Sequence, residues 1–153
     1  MKKQGELTMK TAIVYYSKHH GNTKKLIDAL MAKYDVTAID ATKVETADLS
    51  GYDMIGFASG IYYSKFHKSV LEFAEKNLPD GKNVFFLYTY GAEKKGYTKA
   101  ITQAVSKHHT KIVGEFGCFG FNTFGPFKLI GGIAKGHPDQ NDLQAVLSFY
   151  AGL

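Results

Sequence analysis

An apolar run and a helical pattern are joined by Tyr15-Tyr16-Ser17-Lys18-His19-His20-Gly21-Asn22-Thr23-Lys24-Lys25. The run at residues 12–16 indicates a buried strand, and the apolar residues after this segment recur at helical spacing. A strand that enters a helix through a short loop of hydroxyl residues and glycine offers free backbone N–H groups to an anion. Lys24 and Lys25 fall in the first helical turn, where the dipole disfavours positive charge, and a bound phosphate would remove that conflict. A plain strand-to-helix turn with solvated lysines fits the segment as well.

Strands and helices alternate along the rest of the chain. Further apolar runs predict strands at residues 36–40, 53–59, 84–90 and 111–119. A stripe that begins at Phe66 predicts the second helix, and two more helices are predicted around residues 101–108 and after Pro138. Five strands that alternate with helices predict an α/β fold, in which a parallel sheet is covered by helices on both faces.

The length of 153 residues suits one domain, which we place at residues 9–153. Residues 1–8 are polar and unpatterned, so we expect Met9 to be the natural start and the preceding residues to be a disordered or non-native leader. No apolar stretch is long enough to span a membrane. The single cysteine, Cys118, has no partner to pair with, which favours a cytoplasmic location and a buried thiol.

The formal charge of +5 raises the question of an anionic partner. The basic residues are scattered as short pairs and do not form one block, which argues against nucleic-acid binding. A small anionic ligand or an acidic protein fits this distribution better.

The phosphate-binding motifs of several other α/β folds are absent. The chain lacks both the Gly-x-Gly-x-x-Gly fingerprint of dinucleotide folds and the Walker motif. A receiver domain would need acidic residues where Ala58, Ser59 and Gly60 end the third strand. A low-molecular-weight phosphatase would need a cysteine where Ser17 stands.

The loop from Ser17 to Thr23 resembles the flavodoxin phosphate loop, a Ser/Thr-x-Thr-Gly-x-Thr motif that wraps the phosphate of FMN. The resemblance covers essentially residues 9–153, and the segment from 121 to 139 looks like a subgroup of small bacterial flavodoxin-domain proteins. It implies a flavodoxin-like sandwich whose five-stranded parallel sheet has the order 2-1-3-4-5. This chain departs from the motif in two ways: its loop is one residue longer, and His20 stands where a threonine is expected.

The resemblance implies FMN as the cofactor, held at the carboxyl ends of the strands. The candidate cofactor-binding residues lie in three loops: Ser17, Lys18, His19, His20, Gly21, Asn22 and Thr23; Ser59, Gly60, Ile61, Tyr62 and Tyr63; Thr89, Tyr90 and Gly91. Of the first loop, Ser17, Gly21, Asn22 and Thr23 match the motif, whereas His19 and His20 do not. At least one of Tyr62 and Tyr63 is expected to stack on the flavin, and one of them could instead pack on the helix that follows.

An FMN-dependent electron carrier is the function that this resemblance implies, with a redox partner protein. The alternative is an FMN-dependent oxidoreductase that acts on a quinone, a nicotinamide or a protoporphyrinogen, because residues 61–67 resemble the flavodoxin-like protoporphyrinogen oxidases. The long insertion of those enzymes is not evident here. A third option is a binding module that has lost FMN. We assign no catalytic residue, and no histidine has a spacing typical of a metal site.

Two further expectations concern the rim of the site. The connection at residues 120–137 is either a fixed loop whose apolar side chains complete the core or a flap over an organic substrate. If the lysines at 18, 24, 65, 94 and 95 surround the flavin, the partner should present an acidic docking face.

Overall fold

The computed structural model describes residues 9–18, 20–123 and 125–153. The predicted leader, His19 and Phe124 lie outside these residues. The strands are β1 (Thr11–Tyr16), β2 (Val36–Asp40), β3 (Met54–Tyr62), β4 (Lys65–Phe66), β5 (Asn83–Tyr90) and β6 (Lys111–Phe119). The α-helices are α1 (Asn22–Met31), α2 (Lys68–Asn77), α3 (Lys99–Ser106) and α4 (Gln140–Ala151), and a 3-10 helix spans Gly125–Ile130.

The sheet has the order β2-β1-β3-β5-β6, and every pair along this path is parallel. The predicted flavodoxin-like fold is therefore confirmed, with one addition: the two-residue strand β4 pairs with β3 in the antiparallel direction. Because the five long strands are parallel, their carboxyl ends share one edge of the sheet. None of the helices in the described ranges is long and apolar enough to cross a bilayer.

Helices cover both faces of the sheet. Buried residues of α2 and α3, such as Phe73 and Ile101, pack with Phe57 and Phe86 in one core layer. Residues of α1 and α4 pack with the other face in a second layer, where the hydroxyl groups of Thr11 and Tyr150 are 2.6 Å apart. The three central strands, β1, β3 and β5, are largely buried between these layers, which explains their near-continuous apolar runs, whereas the edge strands β2 and β6 are more exposed.

The stretch after residue 59 differs from the prediction. Strand β3 continues to Tyr62, so Gly60, Ile61 and Tyr62 lie in a strand that was predicted to be a loop. Phe66 was predicted to begin the second helix and instead lies fully buried in β4, against the rings of Phe86 and Tyr88.

The connection between β3 and β4 is a two-residue turn. Its central residues, Tyr63 and Ser64, both have positive φ angles, 51° and 67°. Positive φ at both central positions is the geometry that closes a tight hairpin, and it is usually supplied by glycine or asparagine. The hairpin fixes the position of Tyr63 at the carboxyl edge of the sheet.

Candidate functional site

A pocket opens at the carboxyl ends of β1, β3 and β5, beside the first turn of α1. It is lined by Ser17, Asn22, Thr23, Gly60, Ile61, Tyr62, Tyr63, Thr89, Tyr90, Gly91, Gly120, Phe121 and Asn122. The structure thus brings together residues from all three predicted loops. Lys18 and His20 lie in the first loop, exposed and outside the lining, and Ser59 is fully buried beneath it.

The first loop enters α1 with its backbone turned towards the pocket edge. Gly21 precedes the helix with a φ of +65°, and its carbonyl oxygen accepts a hydrogen bond from the amide of Lys25. The hydroxyl oxygen of Ser17 accepts a hydrogen bond from the amide of Lys24 at 2.9 Å. The Lys24 amide is thus bonded within the chain, and the amides of Asn22 and Thr23, which have no intrahelical acceptors, are the groups of this turn that are suited to hold an anion.

Buried polar groups form the floor of the pocket. The hydroxyl oxygens of Thr23 and Thr89 lie 2.9 Å apart, and both residues are buried. The Asn22 amide nitrogen donates to the carbonyl oxygen of Phe121 at 2.8 Å. The Asn22 side-chain oxygen is buried, and no group in the described part of the chain donates to it. A buried acceptor without a donor is costly, so this oxygen favours a ligand that carries O–H or N–H groups.

The positive charge in the first turn of α1 is balanced within the chain. Lys24 pairs with Asp28, one turn further along the helix, and its ammonium lies 5.9 Å from the centre of the Tyr15 ring. The hydrogen bond to Asp28 is the main reason that the pKa of Lys24 is raised. The dipole conflict therefore does not require a phosphate, and Lys24 does not contribute a free charge to the pocket rim.

The two tyrosines of the β3–β4 hairpin have different surroundings. The ring of Tyr62 lies edge-on to Tyr16 and His67, with centroids 5.5 and 5.4 Å away. Tyr63 is 85% exposed although it lines the pocket. Tyr62 thus packs among protein rings, while Tyr63 offers an accessible aromatic surface to a flat ligand.

Tyr90 forms the wall of the pocket at the end of β5. It packs with the rings of Tyr88, Tyr97 and Phe119. Burial raises the pKa values of Tyr88 and Tyr90 to about 12, so both phenols keep their protons at neutral pH and remain hydrogen-bond donors.

His67 packs against Tyr62 of the hairpin and does not line the pocket. Its ring stacks on Tyr16 with a centroid distance of 3.6 Å. Its Nδ1 accepts a hydrogen bond from the amide of Ser69 at 3.1 Å and thereby caps α2, while its own amide donates to the Ser59 hydroxyl oxygen. Since Nδ1 accepts this bond, the ring is neutral, and burial lowers the pKa of His67 from its ordinary 6.5.

The cap of α2 should therefore depend on pH. A lowered pKa in the folded chain means that the contribution of the cap is complete above the unfolded pKa of 6.5 and is lost as pH falls through the folded pKa. We expect the free energy of unfolding to decrease by about 1 kcal/mol over this interval, the usual contribution of an N-cap. Urea denaturation at a series of pH values between 7.5 and 5 measures this decrease in the free energy of unfolding.

The matched control for this pH dependence is His67→Asn, which can cap the helix without titrating in this interval. The difference between the free energies of unfolding of wild type and variant, taken at each pH, cancels the contributions of the other titrating groups. Parallel pH curves for the two proteins would contradict the assignment of the cap to the neutral His67 ring.

The connection at residues 120–137 closes one side of the pocket. Asn122 and Ile133 exchange backbone hydrogen bonds, and the ring of Phe121 lies 4.4 Å from that of His20. The amide of Gly132 donates to the carbonyl oxygen of Phe127 at 2.7 Å. The start of the connection is thus packed on the first loop, whereas its tip is not part of the core: Leu129 and Ile130 are 89% and 70% exposed.

His137 and Cys118, which lie near the site, have structural roles. His137 donates from Nδ1 to the carboxylate of Asp142 at 2.7 Å, and Asp139 and Asp142 form a reciprocal capping box at the start of α4. Cys118 is buried, and burial raises the pKa of its thiol to about 12, so it is not a nucleophile at neutral pH.

Sequence reasoning placed the connection at residues 120–137 at the rim of the site but assigned no binding residue to it. Gly120, Phe121 and Asn122 line the pocket, yet they lie about a hundred residues from the first loop and carry no charged or nucleophilic group. The available signal was topological, because they follow the last strand of the sheet at the edge where ligands bind.

Comparison with known proteins agrees with this arrangement. The family model of the flavodoxin domain matches residues 13–124, and the chain belongs to this family. An uncharacterised protein of Methanocaldococcus jannaschii is 36% identical over 143 residues, which cover 92% of this chain and 95% of that protein.

Solved structures share the fold at low sequence identity. A short-chain flavodoxin associated with a non-canonical PDU bacterial microcompartment has a TM-score of 0.63 and 17% identity, covering 95% of this chain and 97% of its own. A flavoprotein from Lactobacillus acidophilus in complex with FMN has a TM-score of 0.53 and 17% identity, covering 71% of this chain and 93% of its own.

Proposed function

We propose that this protein binds FMN in the pocket at the carboxyl edge of the sheet and transfers electrons to and from a partner protein. The observation that carries the proposal is the composition of the pocket: a helix N-terminus at one end, a row of buried polar groups along the floor, and an exposed aromatic ring at the other end. These features match the phosphate, the ribityl chain and the flavin ring in that order.

The residues present fit each part of FMN. The first turn of α1, with the hydroxyls of Ser17 and Thr23, would hold the phosphate. The Asn22 side-chain oxygen, which has no donor in the described part of the chain, would accept a hydrogen bond from a ribityl hydroxyl. Tyr63 and Tyr90 would flank the flavin ring, which supplies one- and two-electron redox chemistry when bound.

Three features of this chain would shape the environment of the ring. The exposed Tyr63 would cover one face of the flavin while the opposite edge stays accessible to a partner. The Ser59 hydroxyl donates to the carbonyl oxygen of Gly60 at 2.5 Å, which fixes the backbone at the pocket edge. Tyr90 would remain a protonated phenol because its pKa is about 12.

The family and one FMN-bound member of the fold support this proposal. The solved flavoprotein from Lactobacillus acidophilus carries FMN. One phosphate-binding loop in a domain of 145 residues, with no evident adenine site, favours FMN over FAD.

A turnover experiment separates the carrier from the enzyme. The FMN-loaded protein is mixed with reduced nicotinamides, with quinones and with protoporphyrinogen, and separately with a flavoprotein reductase. We expect rapid exchange with the reductase and no turnover of the organic substrates. Steady turnover of any of them, lost on deletion of residues 124–132 while FMN stays bound, would favour the oxidoreductase instead.

A further inference from the structure

The most exposed large apolar side chains of the described residues belong to the hairpin and to the connection that border the pocket. They are Leu129, Tyr63 and Ile130, at 89%, 85% and 70% exposure. Tyr63 lines the pocket from the β3–β4 hairpin. Leu129 and Ile130 end the 3-10 helix in the connection whose first residues line the opposite side. Exposed apolar groups gathered at one site mark a contact surface.

The charge around the pocket is positive on balance. Residues 17–28, 59–72 and 120–142, which supply three of its sides, contain seven lysines and four acidic residues, and one of the acidic residues, Asp28, is paired with Lys24. The fourth segment, residues 91–98, contains Glu93 and the exposed pair Lys94 and Lys95. The pocket therefore opens through a rim that combines positive charge with apolar contact groups.

We propose that this rim docks an acidic protein that presents carboxylates around an apolar recess. We call it the docking rim and define it by Tyr63, Lys65, Lys128, Leu129 and Ile130. Leu129 and Ile130 fill the recess of the partner, and the lysines meet its carboxylates. The inference rests on the proposed function in one respect: the partner exchanges electrons with a cofactor in the adjacent pocket.

The two-sided arrangement favours a protein over a lipid surface. The apolar groups come from two separate segments that border a concave pocket, so a protein surface of matching relief can contact both at once, whereas a flat bilayer cannot. Complementary charge would also speed association and make it sensitive to salt.

The test is an NMR titration of the isotope-labelled full chain, with and without FMN, against an acidic ferredoxin and against basic cytochrome c. At low ionic strength we expect the ferredoxin to shift or broaden the amide signals of the docking rim, and salt on the order of 0.5 M to reverse the effect. Cytochrome c should leave the docking rim unchanged.

Paired variants identify the groups that bind. Lys65→Glu with Lys128→Glu should weaken ferredoxin binding at least about tenfold, the lower limit of electrostatic steering effects. The control with the same charge change is Lys33→Glu with Lys111→Glu, at the opposite edge of the sheet. Leu129→Ser with Ile130→Ser should also weaken binding, unlike the exposed control pair Met31→Ser with Ile112→Ser.

Three results would overturn the inference. The first is that cytochrome c binds the docking rim as well as ferredoxin does. The second is that the docking-rim variants leave ferredoxin binding unchanged. The third is that the chain binds phosphatidylserine vesicles through the same residues, which would reassign the docking rim to a membrane surface. The titration of the FMN-free chain distinguishes the two proposals. A chain that does not bind FMN would contradict the proposed function, and ferredoxin binding to the docking rim could still be measured.

Discussion

Thr23→Glu is expected to abolish measurable FMN binding while the sheet remains folded. Thr23 is 1% exposed at the pocket floor, and its hydroxyl contacts that of Thr89. A carboxylate there would be buried without a partner and would face the phosphate. Two like charges about 4 Å apart repel by about 4 kcal/mol at the effective dielectric constant near a protein surface, which would raise the Kd by about three orders of magnitude. Fluorescence titration of FMN with the purified variant measures this loss.

Two companion variants keep this result interpretable. Lys25→Glu places a carboxylate in the same helical turn at an exposed position, and it should lower the affinity only slightly although its charge change is the larger of the two. Thr23→Ala removes one hydrogen bond and should weaken binding by about 1–3 kcal/mol. Circular dichroism reports whether each variant is folded. A folded Thr23→Glu protein with wild-type affinity for FMN would contradict the assignment of the phosphate site to this loop.

Gly132→Ala is expected to displace the connection at residues 120–137 and to weaken FMN binding. Gly132 has a φ of +94°, and an added Cβ would lie 2.4 Å from the Phe121 ring. Overpacking of this kind costs about 1–3 kcal/mol, and the left-handed backbone adds about 1–2 kcal/mol. Because Phe121 accepts the hydrogen bond from Asn22, its displacement should also disturb the pocket floor.

The neighbouring residue provides the matched control. Gly131 has a φ of +80°, and an added Cβ there would make only an ordinary contact with Lys135 at 3.6 Å. Gly131→Ala should therefore carry the backbone cost alone and leave the FMN affinity close to that of the wild type. Equal affinities for the two variants would indicate that the connection does not help to shape the binding site.

The fold could be predicted because its central strands are largely buried. The run at residues 84–88 has no charged residue, serine or threonine, and the alternation of such runs with helical stripes indicates a parallel sheet. The β3–β4 hairpin could not be predicted in the same way. Phe66 and Val70 have the spacing of a helix, and only the packing of Phe66 on Phe86 and Tyr88 places it in a strand.

The first loop, residues 17–23, carried the strongest sequence signal for the site, because the groups that suit it to bind an anion are close together in the sequence. A hydroxyl, a glycine and a helix start lie within a few residues from Ser17 to Thr23. The role of Lys24 depends on Asp28. The sequence places Asp28 at a spacing that favours an ion pair with Lys24, but only the structure shows that the pair forms. Gly120 and Asn122 reach the pocket only through the tertiary fold, so no local pattern marks them.

The most direct test of the central claim is a titration of the full chain, stripped of any bound flavin, with FMN, FAD and riboflavin. The proposed pocket predicts one FMN per chain with quenching of the flavin fluorescence. It also predicts weaker binding of riboflavin, which lacks the phosphate held by the first turn of α1. Equal affinities for riboflavin and FMN would contradict the phosphate site, and the absence of any flavin binding would contradict the whole account.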